Sequence, residues 1–197
     1  MAVEREIKLR FASANQAREQ ILALGATPLL GRRLQEDCLF DTDDERLRLQ
    51  RSTLRVRSES GKALLTFKGP VIPAAIKVRE EYETVVSDGA AMQTILEELG
   101  LHVWFRYEKY REEFQADDIV IAVDETPVGV FVEIEGGEDA IHQMARALGR
   151  SPAEYITDSY RFLFLQHRDA QGLDGHHMVF AGLPTVAPSA KVGRADE

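Results

Sequence analysis

Charge recurs at every second position of the first segment: Glu4, Glu6, Lys8 and Arg10 share one parity, and Val3, Ile7, Leu9 and Phe11 share the other. Successive side chains of a strand point to opposite faces, so this segment presents one charged face and one apolar face. A two-faced antiparallel strand does the same without any function. Here, however, both signs of charge return on one face of strand after strand. Arg55 and Arg57 alternate with Leu54 and Val56, and Thr66 and Lys68 with Leu65 and Phe67. Lys77, Arg79, Glu81 and Glu83 share a parity, as do Lys109 and Arg111; Asp124 closes an apolar run, and Glu133 and Glu135 alternate with Val132 and Ile134. A solvent face tolerates such residues without needing them in every strand. A closed sheet with a polar lumen needs them, because charges withdrawn from water must neutralise one another or hold a charged ligand.

The chemistry divides by sign. Lys8, Arg55, Arg57, Lys68, Lys109 and Arg111, with Lys77, Arg79 and Arg10 as further candidates, suit a polyphosphate: arginine binds oxygens in pairs and lysine acts as a point charge. The carboxylates Glu4, Glu6, Glu81, Glu83, Asp124, Glu133 and Glu135 need a reason to share that space with an anion. Mg²⁺ or Mn²⁺ supplies one, taking oxygen from carboxylates, water and phosphates together. Salt bridges that only hold a barrel would give the same alternation, but such pairs are often replaceable by apolar residues at no cost in stability. Other arrangements are missing from the sequence. It has no Gly-rich phosphate loop and no His-Glu-x-x-His, and the acids of 41–45 lack the glycine and later glutamate of a calcium loop. His142, His167, His176 and His177 read as solvent-facing or tail residues, and the lone Cys38 as a small strand residue.

These residues require strands to position them. Beyond the first strand, Ser13 with Gln16 caps a helix carrying Ala17, Ile21, Leu22 and Leu24, which Gly25 ends. Strands are expected at 30–40, 53–58, 63–69, 76–86, 102–115, 119–125 and 129–136, with a polar connection over 41–52 and a hairpin turn at 59–62. Ser87 or Asp88 caps a second helix that Gly100 ends, and helices follow at 138–148 and 152–167, the last with Ser151 as cap. The expected fold is α+β: an eight-stranded antiparallel tunnel with a charged lumen and helices packed outside. It forms one domain over 1–168, followed by an irregular tail over 169–197 that docks through Met178, Val179 and Phe180.

The chain has 197 residues, 44% hydrophobic and 29% charged, an ordinary composition for one globular domain. A net charge of −9 opposes general nucleic-acid binding, since phosphate neutralisation wants a basic surface. It leaves room for a small anion in a local basic site. No long apolar run or signal segment stands out, so the expectation is a cytoplasmic protein acting on a small molecule, away from nucleic acid and membrane, with a homodimer left open.

Glu4-x-Glu6-x-Lys8 resembles the N-terminal signature of the CYTH family, the triphosphate tunnel metalloenzymes. Leu54-Arg55-Val56-Arg57, Leu65-Thr66-Phe67-Lys68, Arg79-Glu80-Glu81, Lys109-Tyr110-Arg111, Asp124 and Glu133-Ile134-Glu135 resemble its later motifs, in the same order, so that the likeness spans about residues 2–165. The resemblance implies an eight-stranded tunnel holding a triphosphate and divalent metal, in a family that includes thiamine, inorganic and RNA triphosphatases and class IV adenylate cyclases. Carried over, it makes Lys8, Arg55, Arg57, Lys68, Lys109 and Arg111 substrate-binding, and Glu4, Glu6, Asp124, Glu133 and Glu135 metal-binding. Glu4, Glu6, Lys8 and Glu81 become the catalytic group. One departure stands out: some family hydrolases set a lysine near the C-terminus against the phosphates, whereas the only lysine after Lys109 here is Lys191. Tyr160 and Arg161 are the candidate substitutes.

The expected activity is metal-dependent hydrolysis of a triphosphate, whether inorganic tripolyphosphate, thiamine triphosphate or a nucleoside triphosphate. Adenylate cyclase is the alternative, and a binding module without turnover the second alternative.

Overall fold

The computed structural model describes residues 2–181. Its eight strands are β1 (Ala2–Phe11), β2 (Thr27–Thr42), β3 (Thr53–Glu59), β4 (Lys62–Lys68), β5 (Lys77–Val86), β6 (Leu101–Ala116), β7 (Ile119–Thr126) and β8 (Gly129–Glu135). They close into an antiparallel barrel in the order β1-β5-β4-β3-β2-β6-β7-β8, with β8 returning to β1. Tight hairpins make the local pairings. At the β3–β4 turn, Ser60 (φ 49°) and Gly61 (φ 75°) are both left-handed, which gives the twist a two-residue hairpin requires.

The apolar core lies outside the barrel, between its outer face and the helices. α1 (Ala14–Ala23) begins at Ser13, whose Oγ accepts a hydrogen bond from Gln16 N at 3.2 Å. Ala17 and Ile21 of α1, and Ile141 and Ala145 of α4 (Glu138–Ala147), are buried in one cluster with Ile7, Leu9, Ile121, Val132 and Ile134. A smaller cluster joins Leu96 of α3 (Gly89–Glu98) to Phe40 and Val56, with Cys38 packed against it. The alternation therefore sends most apolar groups outward to the helices and charges inward, while Leu39, Phe105 and Tyr107 cluster with Tyr160 on the lumen side at one end. Among the described residues, no helix is long and apolar enough to cross a membrane.

Three local expectations change. First, the polar connection over 41–52 is partly ordered: β2 runs on to Thr42, and α2 (Arg46–Leu49) follows. The carboxylate of Asp41, fully buried, accepts from the backbone N–H groups of Thr42, Leu47 and Arg48 and from Arg48 Nε, so it acts as the nucleus of this turn.

Second, the single helix expected over 152–167 is two pieces: a 3-10 turn at Pro152–Glu154, then α5 (Tyr160–Gln171). The cap at Ser151 forms, with Ser151 N donating to Glu154 Oε2 at 2.9 Å. The chain then leaves the helix because β5 pairs only with residues 2–6 of β1, and Ile156 satisfies the edge left open at Lys8 with two backbone hydrogen bonds of 3.0 and 2.9 Å. Ser159 caps the chain afresh, its Oγ accepting from Phe162 N.

Third, Arg10 is exposed at one end of the barrel, over the Phe131 ring at 4.6 Å. The segment expected to be irregular from 169 stays helical to Gln171, and residues 178–180 then lie against β6. β7 reaches only as far as Tyr110 of β6, and Met178, wholly buried, covers the open edge beyond by bonding Arg106 O and Glu108 N. Lys191 and the rest of 182–197 lie outside the described residues.

Candidate active site

The register of the ladder decides which charges meet. β1 pairs Lys8 with Glu133 of β8, β3 sets Arg57 opposite Asp37 of β2, and β6 sets Arg111 opposite Asp124 of β7. Cross-strand partners share a face, so each pair points into the lumen. The expected binders are all there: Lys8 (2% exposed), Arg55, Arg57, Lys68 and Lys109 are buried, and Arg111 is half-buried. So are Glu4, Glu6, Asp124 and Glu133; Glu81 is less deep, and Glu135 is exposed at a mouth.

The lumen neutralises itself. Lys68 Nζ lies 2.6 Å from Glu4 and 2.9 Å from Glu81, while Arg79 Nε holds the other Glu4 oxygen at 2.8 Å. Lys77 meets Glu6 at 2.5 Å, and Lys8 bridges Glu6 and Glu133 at 3.5 and 3.0 Å. Lys109 and Arg111 both grip Asp124, Arg111 also contacts Glu133, and Tyr160 Oη donates to Asp124 at 2.6 Å. The Lys8 and Lys109 ammonium groups stand 5.0 and 4.9 Å from the Tyr160 ring centroid, so α5 places an aromatic floor beneath two cations.

The electrostatics follow from this pairing. Burial works against the Glu6 carboxylate, but Lys8 and Lys77 outweigh it and hold its pKa well below the usual range. Glu133 is held low in the same way by Lys8, Lys109 and Arg111. Lys109 goes against its ion pair: burial, then the Arg111 guanidinium, push it down to about 8 despite Asp124 at 2.8 Å. Glu135 is the exception among the acids, with no hydrogen bond or ion pair. Removal from bulk water, then Glu4 and Glu6, push it up to about 7. Because solvent reaches its side chain, the crowding by like charge is the firmer cause.

One group in the lumen is buried without a hydrogen-bond partner on a donor that could meet an anion. Arg55 Nε lies 3.3 Å from Asp37 Oδ1 but is not aimed at it, and so makes no hydrogen bond. Among the described residues, no three acidic, histidine or cysteine side chains converge as a ready-made metal site. The crowding of Glu135 by Glu4 and Glu6 is nevertheless what a divalent cation would relieve, so the donor set at that end fits one.

Sequence reasoning missed Asp37, which is 1% exposed and is the shared partner of Arg55 and Arg57. It also missed Gln35, buried in the same lumen wall, and Tyr107, whose Oη accepts from Arg55 Nη1 at 3.4 Å. The parity of Gln35, Asp37, Leu39 and Asp41 carried the signal, but Leu39 on one face and Cys38 and Phe40 on the other obscured the alternation. Burial pushes the Cys38 thiol up to about 11, which disfavours its thiolate.

The lumen opens into two cavities that share Glu6, Arg55 and Lys68. One, of about 490 Å³, runs from Lys8, Lys109 and Lys77 to Trp104, Tyr160 and Arg161. The other, of about 580 Å³, is rimmed by Glu59, Glu81, Glu83, Glu113 and Glu135 with Arg33 and Arg57. The tunnel is thus cationic and aromatic at one mouth and largely acidic at the other.

A curated protein of Methanocaldococcus jannaschii named "Putative adenylate cyclase" is 32% identical over 147 residues, covering 74% of this chain and 83% of its own. A structure of the same name from Vibrio parahaemolyticus superposes with a TM-score of 0.72 at 20% identity, covering 82% of this chain and 97% of that one. A Hippeastrum structure, described as a "putative adenylyl cyclase" with a dominant triphosphatase activity, gives 0.61 at 17% identity, covering 89% and 98%. The CYTH domain matches residues 2–160, and with the tunnel and its charged lumen in view, the chain belongs to the CYTH family.

Proposed function

We propose that this protein hydrolyses a triphosphate with a divalent cation, releasing orthophosphate and a diphosphate. The observation that carries the reading is the burial of Lys8, Arg55, Arg57, Lys68 and Lys109, with Arg111 half-buried beside them, around one lumen in which Arg55 Nε makes no hydrogen bond. Buried bases in such density are costly unless they serve an anion. Arg55 and Arg57, two residues apart on one strand face and so about 7 Å apart, bind adjacent phosphates, each guanidinium turning from Asp37 toward phosphate oxygens. Lys8 and Lys109, on the Tyr160 floor, meet charge from below, and Lys68 releases Glu81 as it takes a phosphate oxygen.

The lumen's signs nearly cancel without ligand, so a multiply charged anion unbalances it. Glu4, Glu6, Glu133 and Glu135 would hold Mg²⁺ or Mn²⁺, which when bound supplies neutralisation of the developing charge and orientation of the attacking water. Asp124, already shared by Lys109, Arg111 and Tyr160, keeps those groups in place and joins the metal set only by releasing them. Glu81 and Glu4 complete the acidic side of the same cavity.

The second reading is cyclisation of ATP, favoured by the name of the 32% identical relative. A single panel separates the two: tripolyphosphate, thiamine triphosphate and ATP with Mg²⁺ or Mn²⁺, scored for phosphate release and for cyclic AMP. Phosphate release alone supports hydrolysis, and cyclic AMP with pyrophosphate supports cyclisation. Binding without either product leaves a non-catalytic module.

A further inference from the structure

We infer that residues 177–180, beyond the part of the chain that matches the CYTH domain, complete the tunnel wall and set its grip on phosphate, with Met178 as a positioning residue that acts through Tyr107 on Arg55. The inference rests on the phosphate-binding reading of the lumen and adds a control on that same site. β7 pairs with β6 no further than Tyr110, so it does not cover the β6 edge at Arg106 and Glu108. After α5 the chain turns back to that edge through Gly172 (φ 62°) and Gly175 (φ 138°), where a side chain would be strained. Met178 N donates to Arg106 O at 3.0 Å, and Glu108 N donates to Met178 O at 2.8 Å. Arg106 N donates to His177 Nδ1 at 3.1 Å, and Phe180 N to Glu108 Oε2 at 2.9 Å. The backbone on both sides of Tyr107 is thus held by this segment, with Met178 bridged to Tyr107 in parallel register.

Tyr107 carries the effect into the lumen. In the β2–β6 ladder it stands opposite Asp37, and its Oη accepts from Arg55 Nη1 at 3.4 Å. Thr66 Oγ1 accepts from Arg55 Nη2 at 3.2 Å, with Glu83 at 3.5 Å beside it. These contacts set the plane of a guanidinium whose Nε makes no hydrogen bond. A donor in a rigid fork meets an anion only when that plane is held at the right angle, and here the angle depends on where the Tyr107 ring lies. Met178, wholly buried, belongs to one cluster with Phe105, Tyr107 and Tyr160, and the Phe105 and Tyr107 rings are stacked with centroids 6.0 Å apart. Truncating Met178 opens space in that cluster, so the Tyr107 hydroxyl loses its fixed place against Arg55.

The coupling runs both ways. If the segment tightens the site for phosphate, phosphate on Arg55 tightens the segment by the same factor, because linkage between binding and local opening is symmetric. Only two backbone hydrogen bonds hold Met178 to the edge, so the segment opens locally at less cost than unfolding the barrel. Exchange of the amide hydrogens in those two bonds therefore reads the coupling in the unaltered protein.

The test uses the full chain and the diimido analogue of tripolyphosphate, with Mg²⁺. By calorimetry, Met178→Ala should lose about five- to a hundredfold in affinity, and Met178→Leu, which keeps the volume, should recover most of the loss. Tyr107→Phe removes the hydroxyl that holds Arg55, so Met178→Ala added to that background should weaken binding little further. In the wild-type protein, saturating analogue should slow exchange of the Met178 and Glu108 amide hydrogens by about the factor lost in Met178→Ala, and slow that of Met92 on α3 by less. Should Met178→Ala fail to fold, the exchange measurement on the wild type carries the result. Full affinity in Met178→Ala, additive losses in the double variant, or exchange at Met178 and Glu108 slowed no more than at Met92, overturns the inference and leaves phosphate binding standing. If the analogue does not bind the wild type at all, the phosphate-binding reading itself fails, and this inference with it.

Discussion

Asp37 and Arg57 stand directly opposite each other in the β2–β3 ladder, and Arg57 donates from Nε and Nη2 to the two Asp37 oxygens at 2.9 and 3.2 Å. Burial alone would raise the Asp37 pKa, but Arg57 and Arg55 outweigh it and hold the carboxylate ionised. Asp37 is therefore the one carboxylate that both guanidinium groups share. Asp37→Asn should cost about 3 to 5 kcal/mol, because it leaves two buried guanidinium groups uncompensated. Added tripolyphosphate should then raise the melting temperature of the variant more than that of the wild type. Equal shifts in the two proteins would mean that phosphate does not reach Arg55 and Arg57.

Arg57→Ala should weaken triphosphate binding by about ten- to a hundredfold, the loss of a charge-assisted hydrogen bond of roughly 1.5 to 3 kcal/mol. Arg57→Lys should restore only part, since it keeps the charge and loses the fork. Calorimetry with a non-hydrolysable triphosphate checks both variants, and wild-type affinity in Arg57→Ala would remove this residue from the binding wall.

The metal role proposed for Glu135 carries a pH dependence. Its folded-state pKa of about 7 lies above the ordinary glutamate value, so its contribution to the stability of the metal-free protein is complete below about pH 4.5 and is lost as pH rises through 7. Glu135→Gln should therefore melt higher than wild type at pH 8 without metal and show no such advantage at pH 5. The ionised form is the one that holds a cation, so wild-type Mg²⁺ or Mn²⁺ affinity should climb through pH 7, and the variant should lose that climb. Metal titrations at pH 6 and pH 8 decide the matter.

Glu133→Gln tests the opposite kind of acid. Glu133 contacts Lys8 and Arg111, so removing its charge should destabilise the fold by about 3 to 5 kcal/mol as well as abolish turnover. A chemical-denaturation curve beside the activity assay reads both effects, and full activity would assign Glu133 to the scaffold alone.

Tyr160→Phe removes the donor to Asp124 while keeping the ring beneath Lys8 and Lys109. It should cost about 1 to 3 kcal/mol of stability, because Asp124 loses one of the groups that satisfy it. Turnover should fall with little change in substrate affinity. A loss in affinity equal to that of Arg57→Ala would make Tyr160 a direct phosphate ligand, in the position expected of a C-terminal lysine.

Much of this protein is determined by residue order alone. The alternation of Glu4, Glu6 and Lys8 with Ile7 and Leu9, repeated in later strands, dictates a sheet with one charged face, since side-chain direction along a strand depends only on parity. Turn residues such as Ser60-Gly61 set the hairpins for the same local reason. Parity does not say which strand lies beside which, and the consequential pairings are distant in sequence: Lys8 with Glu133, Asp37 with Arg57, and Ile156 at the edge of Lys8. The β2–β3 register brought Asp37 to the two arginines, and closure of β8 on β1 brought Glu133 to Lys8. The break after Glu154 was likewise tertiary, because an open edge at Lys8 outcompeted a locally well-capped helix. That detour delivers Tyr160 to the lumen and Arg161 to Trp104, a placement that helix propensity and spacing do not contain.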